Sequence, residues 1–349
     1  MLGYTRGMTF RRVLNIFTLA IVAILLFTLR HELVQAWELL GTVDLWILAL
    51  IIPLQFLSYY ASGAAMFSYL SQRGYMQNVR RIDMARMALE LNFVNHILPT
   101  AGVSGVSYMT WRLSKMGINS GRAALAQVVR FVASFGSFVV LLVLATVIVT
   151  LDTGVNRIVI LATSALTSGI IMSGMVIWYV IDNERRLTRF SDIVASAVNW
   201  FGRKVIRAKR PILAAKRIKL FMDDLQEDYR ALRANPRLLI RPFGWGVVFN
   251  LTEVSLFFFT FLALGSFVNP ATILLAIGIA AVVGTVLITP GGTGGYEAAM
   301  VLVLASSGVE GAVVLAGVLL ARVILILLTI VSGYVFYHRA LTTYGKPAT

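Results

Sequence analysis

Near-unbroken apolar runs, many of them about 20 residues long, recur along this chain with short polar connections between them. About 20 apolar residues in a helix cross the ~30 Å of hydrocarbon in a bilayer. Inside lipid every backbone N–H and C=O must be satisfied within the segment, which leaves helices as the economical solution. Of 349 residues, 58% are hydrophobic and only 13% charged, about half the charge of a soluble domain. The fold class expected is therefore an all-α polytopic membrane protein, with 1–349 as a single membrane domain. Full spans are predicted at 13–29, 45–70, 123–151, 158–181, 242–265 and 312–337. Two further apolar stretches are broken into pairs, 84–98 with 103–113 and 271–289 with 296–307. The 13–29 run follows Arg6, Arg11 and Arg12 as a signal peptide's would. No small-residue cleavage site follows it, so it reads as a retained span.

Charge orients these elements. Lys and Arg collect in cytoplasmic loops, and the basic segments here all fall on one side: the N-terminus, Arg73 to Arg86, Arg112 to Arg122, 182–241 and the C-terminus. The alternate connections, 30–44, 152–156, 265–270 and 306–311, are acidic or carry almost no basic residue. Both termini are expected in the cytoplasm, in a protein integral to the plasma (bacterial inner) membrane. The net charge of +15 then reports orientation and attraction to anionic headgroups. Because the basic residues flank spans, nucleic acid is not an expected partner.

This parity makes each broken pair return to the side it left. The segments are short and their turns rich in Pro and Gly, so re-entrant hairpins are favoured over two complete crossings each. Span, broken pair, span occurs at 45–151, with its re-entrant pair at 84–113, and again at 242–337, with its pair at 271–307. The two copies start on opposite sides, as an inverted repeat does. In transporters such repeats place broken helices around a mid-membrane substrate site. The insert 182–241, with fifteen Lys and Arg against seven Asp and Glu, has two readings. It is a set of basic amphipathic helices on anionic inner-leaflet lipid, or a plain cytoplasmic helical connection between the halves.

The most informative motif is Pro290-Gly-Gly-Thr-Gly-Gly-Tyr-Glu297, set between aliphatic segments. Pro290 ends the preceding helix. Gly291, Gly292, Gly294 and Gly295 allow a tight turn and a close approach of backbone. Glu297 then opens a new half-helix, whose positive N-terminal end suits an anion. A purely structural reading has Glu297 capping that helix. In the first pair, Glu90 precedes Asn92, Asn95, His96 and Pro99, the last four on one helical face, ahead of a turn with Gly102 and Gly105. These groups either line a headgroup passage or fasten helices together, as Asn commonly does in membranes. Arg130, Glu253 and Arg322 lie about eight to twelve residues inside spans, where a charge must face the bundle interior or be paired. Arg130 and Arg322 stand at matching places in the two halves. A guanidinium offers a forked donor array for phosphate; a structural salt bridge to Glu297 or Glu253 is the alternative.

Several chemistries are excluded. The chain has no cysteine and three scattered histidines, His31, His96 and His338, so no thiol chemistry or His-rich metal centre is expected, and no cofactor. The glycine-rich turn lacks the Gly-Lys-Ser/Thr and the preceding strand of a phosphate-binding loop. Gly-x-Ser-x-Gly and His-Glu-x-x-His are absent.

The segment Asn92-Phe-Val-Asn-His-Ile-Leu-Pro99-Thr-Ala-Gly102, the segment Pro290 to Glu297 and the later Arg322 together resemble the lysylphosphatidylglycerol synthase transmembrane region, the flippase domain of bacterial phospholipid-resistance proteins. The likeness covers nearly the whole chain. Ser104-Gly105 departs from the Gly-Glu or Gly-Asp that many relatives carry. Full-length relatives continue into a soluble aminoacyl-transferase domain, which is not expected in this chain of 349 residues. The resemblance implies lipid translocation rather than lipid synthesis. The expected substrate is an anionic or phosphate-bearing membrane lipid, bound by Glu297, Arg130, Arg322, Asn92, Asn95, Glu90 and Glu253. The other readings are an interfacial transferase using a polyprenyl-phosphate-linked donor and a non-transporting lipid-binding scaffold. A homo-oligomer is compatible with all three.

Overall fold

Helix ends in this chain are written in its glycines and short polar residues. In a computed structural model, residues 43–97, 103–153, 157–190, 215–286 and 294–344 are described, with isolated positions at 34, 38, 41, 192, 193 and 196. Every regular element among them is helical: α1 (Leu45–Ala49), α2 (Ile51–Gln72), α3 (Arg81–Ile97), α4 (Val103–Ser114), α5 (Ser120–Thr153), α6 (Arg157–Ile181), α7 (Ala215–Ala234), a 3₁₀ turn (Pro236–Leu239), α8 (Ile240–Ala263), α9 (Pro270–Val286), α10 (Gly295–Ser306) and α11 (Gly311–Tyr344). The Asp44 carboxylate accepts from the N–H of Trp46 and Ile47 and starts α1. Asn269 caps α9 through the Ala271 N–H at 2.9 Å, with Pro270 in the first helical position, where its missing donor is no loss. Gly265, at φ 76°, closes α8. Its own N–H returns to Leu262 and that of Ser266 to Phe261, the paired bonds of a Schellman end.

Five stretches are long and apolar enough to cross a membrane: Leu45–Gln72, Ser120–Ile148, Ser164–Ile181, Pro236–Ala263 and Gly311–Tyr344. They coincide with five of the six predicted spans; the sixth, 13–29, lies outside the described residues. Element lengths recur. A 28-residue span, helices of 17 and 12 residues and a 34-residue helix occur as Leu45–Gln72, α3, α4 and α5, and again as Pro236–Ala263, α9, α10 and α11.

The chain divides into two compact units. The first comprises Met1–Leu57, Asn92–Gly105 and Thr252–Ala340, so far as these are described. Its core joins Leu48 and Ile51 to Leu256 and Ala263 of α8 and to Leu320 and Val323 of α11. α9 and α10 pack on one another. Two glycines of α11 form notches for aromatic rings. A Cβ at Gly317 would fall 2.2 Å from Phe261, and one at Gly333 would fall 2.4 Å from Phe93.

The second unit comprises Ser58–Leu91, Val106–Leu251 and Leu341–Thr349, again as described. Met66, Phe67 and Leu70 of α2 pack there with Met87, Leu91, Met109, Leu113, Leu125 and Val129. α7 docks on α5 and buries Leu225 and Asp228. Asp228, fully buried, takes Arg73 at 2.7 Å and lies 3.8 Å from Arg122. The Tyr75 hydroxyl donates to the same carboxylate at 3.3 Å. Burial, then the Asp228 charge, push the Tyr75 phenol above its ordinary range. The basic segments after α2 and after α4 therefore both meet the insert 182–241 at Asp228. Of the apolar central part of that insert, 193–201, only 193 and 196 are described.

Candidate functional site

α10 begins where a glycine turn delivers a carboxylate into an apolar helix. Gly294 sits at φ 91°, a conformation that side chains oppose, and has no side chain with which to cap α10. Glu297, the third residue of α10, reaches back instead: its Oε2 accepts the Gly294 N–H at 2.7 Å. This is the glutamate half of a capping box. The other oxygen, Oε1, lies 2.7 Å from Nε of Arg322 on α11, and the two side chains are 14% and 18% exposed. The capping and ion-pair readings of Glu297 are thus both realised, one on each oxygen. The Arg322 guanidinium also lies 5.1 Å from the centre of the Tyr296 ring. Glu253 of α8 is within electrostatic range of the Tyr296 phenol, and His96 within range of Arg322. α3, α8, α10 and α11 thereby each place an ionisable side chain in one neighbourhood of the first unit.

The polar face of α3 contributes differently along its length. His96 is anchored through Nδ1 to the Asn92 carbonyl at 2.8 Å. Asn95 lies against Gly105, where an added Cβ would stand 2.0 Å from its Oδ1. That oxygen is buried without a hydrogen-bond partner among the described residues. The space an acid at 105 would enter is occupied by Asn95, which gives a physical reason for the glycine. Asn92, half-buried, lies on the same helix one turn before His96. Pro99, Gly102, Pro290, Gly291 and Gly292 lie outside the described residues. Of the turn glycines only Gly105, Gly294 and Gly295 are described.

Arg130 and Glu90 belong to the second unit. Arg130 is the eleventh residue of α5, as Arg322 is the twelfth of α11. It is buried, donates through Nε to the Gln127 Oε1 at 3.0 Å and through an η nitrogen to the Ser62 hydroxyl at 3.4 Å, and covers the Phe131 ring. Among the described residues no carboxylate pairs with it. The Gln127 Nε2, a second donor, is buried without a partner among the described residues. The register position in α4 that matches Glu297 in α10 is Gly105, the third residue of its helix. Glu90 is tied up: it accepts from the Tyr108 hydroxyl at 2.9 Å and from Arg112 Nε at 3.3 Å, and Arg112 covers the Tyr344 ring at 4.0 Å. These contacts hold α3 against α4.

Sequence reasoning passed over Asn250. Its amide nitrogen donates to the Ser137 hydroxyl and to the carbonyls of Ser134 and Gly246, at 2.9 to 3.0 Å. A Cβ on Gly246 would lie 2.6 Å from the Ala133 carbonyl. The only signal was a glycine and an asparagine four residues apart within a span.

Residues 15–333 match the family described as the lysylphosphatidylglycerol synthase TM region. No curated protein and no solved structure matches the chain.

Proposed function

The chain belongs to that family, and on this premise we propose that it moves an anionic or phosphate-bearing lipid between the leaflets of its membrane. The observation that carries the reading is the Glu297–Arg322 pair at the glycine-turn start of α10. A charged pair costs a few kcal/mol to hold at membrane depth; here Oε1 and Nε are buried, while the two side chains keep 14% and 18% of their surface exposed. Its carboxylate keeps the guanidinium in place while the site is empty. A lipid phosphate then displaces Oε1, because Arg offers phosphate a forked set of donors, while Oε2 retains the Gly294 cap. Glu253, Tyr296, Asn92 and Asn95 surround the headgroup, and the acyl chains stay in lipid. The second unit holds a separate donor cluster at Arg130, Gln127 and Ser62.

Element lengths support the architecture this needs. α4 and α10, at 12 residues each, reach about 18 Å, well short of the ~30 Å of hydrocarbon. Re-entrant hairpins fit that length, and the recurring order of 28, 17, 12 and 34 residues fits an inverted repeat.

The test is leaflet inversion of labelled lipids in proteoliposomes. Glu297→Gln and Arg322→Ala are expected to abolish transport in protein that folds and inserts normally. If both variants transport like the wild type, the site is misassigned. Wild-type protein that moves no anionic lipid, yet chemically alters one, would replace transport by an interfacial transferase.

A further inference from the structure

Beyond the first unit's site, the second unit carries an arginine-lined cleft of about 780 Å³ where the end of α6 meets α7. Its charged lining is Asp182, Glu184, Arg185, Arg189, Arg230 and Arg233. Both carboxylates are already engaged. Asp182 takes Arg233 at 2.8 Å and the Tyr229 hydroxyl at 2.9 Å, and Glu184 lies 3.7 Å from Arg230. Four arginines against two carboxylates leave two positive charges over. Arg185 and Arg189, both exposed, face no carboxylate among the described residues.

What leads into the cleft decides the ligand. Among the five described spans α6 is the least covered by protein, with 6% of its apolar window buried. Ile171, Met175 and Trp178, on one helical face, are about half exposed, and Tyr179 likewise. Such a face is made for acyl chains. Trp178 and Tyr179 stand at its end, and that residue pair marks the headgroup level of a bilayer. Arg186 covers the Tyr179 ring at 3.7 Å. One turn further lie Asp182 to Arg189. An apolar track, an aromatic collar and two guanidiniums that meet no carboxylate among the described residues therefore follow in the order in which a lipid presents chains, glycerol and phosphate. A soluble anion would need only the last of these.

We propose that this cleft is a binding site for an anionic phospholipid, its phosphate held by Arg185 and Arg189 and its chains lying along α6. By the positive-inside rule the leaflet is the cytoplasmic one. The lipid bridges the end of a span to the docked helix α7. None of these residues takes part in the proposed translocation site, so the two readings stand or fall separately.

The experiment uses the full chain in nanodiscs of zwitterionic lipid doped with phosphatidylglycerol, with the lipid retained after release counted by native mass spectrometry. Each arginine near a headgroup contributes about 1 kcal/mol, so Arg185→Gln with Arg189→Gln should weaken retention roughly 30-fold and either single change about fivefold. Arg185→Lys with Arg189→Lys should largely keep it. Soluble glycerol phosphate should not compete. If it displaces the lipid at equal concentration, the ligand is a free phosphate and the proposal falls. It falls equally if Arg80→Gln with Arg81→Gln lowers retention as much, because binding is then spread over all basic loops. If the double glutamine variant does not fold, the single variants decide: unchanged retention in both overturns the site.

Discussion

At the scale of single residues, Glu297 carries two functions that substitution can separate. Glutamine keeps an oxygen for the Gly294 N–H, as in the glutamine form of a capping box, but removes the charge that faces Arg322. Alanine removes both. Glu297→Ala should therefore unfold at a lower temperature than Glu297→Gln, by the worth of a cap, about 1 kcal/mol, while both lose transport. Equal stability of the two variants would mean that the cap contributes nothing. Gly105 and Asn95 form a second coupled pair. Gly105→Ala must turn the Asn95 amide aside and should lower the unfolding temperature, and Asn95→Ala in that background should recover most of the loss. Additive effects would show that the two do not touch. Glu297 and Arg322 stood out in the sequence because charge in an apolar run is expensive and needs a reason. Asn95 was visible only as one polar residue among several. Its contact with Gly105 depends on how α4 returns past α3, which no local pattern encodes.

Elements in this chain are held together by small residues opposite large ones rather than by a hydrophobic gradient, since lipid is as apolar as leucine. Gly333 admits Phe93, whose ring also meets Tyr337 at 5.3 Å and Tyr334 at 6.1 Å. Gly246 lets α8 approach α5, and Asn250 one turn on bonds across the gap. Asn250→Ala should cost roughly 0.6 to 2 kcal/mol, the range of interhelical hydrogen bonds in membranes. Gly333→Val, which overfills its notch, should cost about 1 to 3 kcal/mol. Unfolding in detergent followed by helical circular dichroism measures both, and a silent Gly333→Val would show that Phe93 does not pack there. The sequence makes the helices legible, because apolar length and Pro or Gly breaks are local signals; five spans and both short pairs follow from them. It does not show which glycines are notches, since glycine in a span serves equally for a turn, a bend or a contact.

Across the whole molecule, the arrangement of charge is the property that the sequence and the structure share most directly. Positive-inside counting places the loop after α2, the loop after α4 and the insert on one face. In the second unit Arg73 and Arg122 both reach Asp228 of α7, so these three segments do meet. The absence of cysteine makes membrane sidedness measurable by single substitutions read with an impermeant maleimide. Asn78→Cys, in an exposed basic loop, should label only after the membrane is opened. Glu310→Cys, in the exposed connection between α10 and α11, should label on intact cells. Thr100→Cys and Thr293→Cys test the hairpins. If each broken pair crosses completely, its turn lies in bulk water on the far side and labels as fast as a loop. A helix of 12 residues reaches about 18 Å of the ~30 Å of hydrocarbon, which favours the proposed re-entrant reading. As re-entrant tips, both positions should react slowly with the impermeant reagent and readily with a small permeant one, and anionic lipid should protect Thr293→Cys more than zwitterionic lipid does. Fast, lipid-independent labelling at both positions would remove the re-entrant architecture and the mid-membrane headgroup site that depends on it.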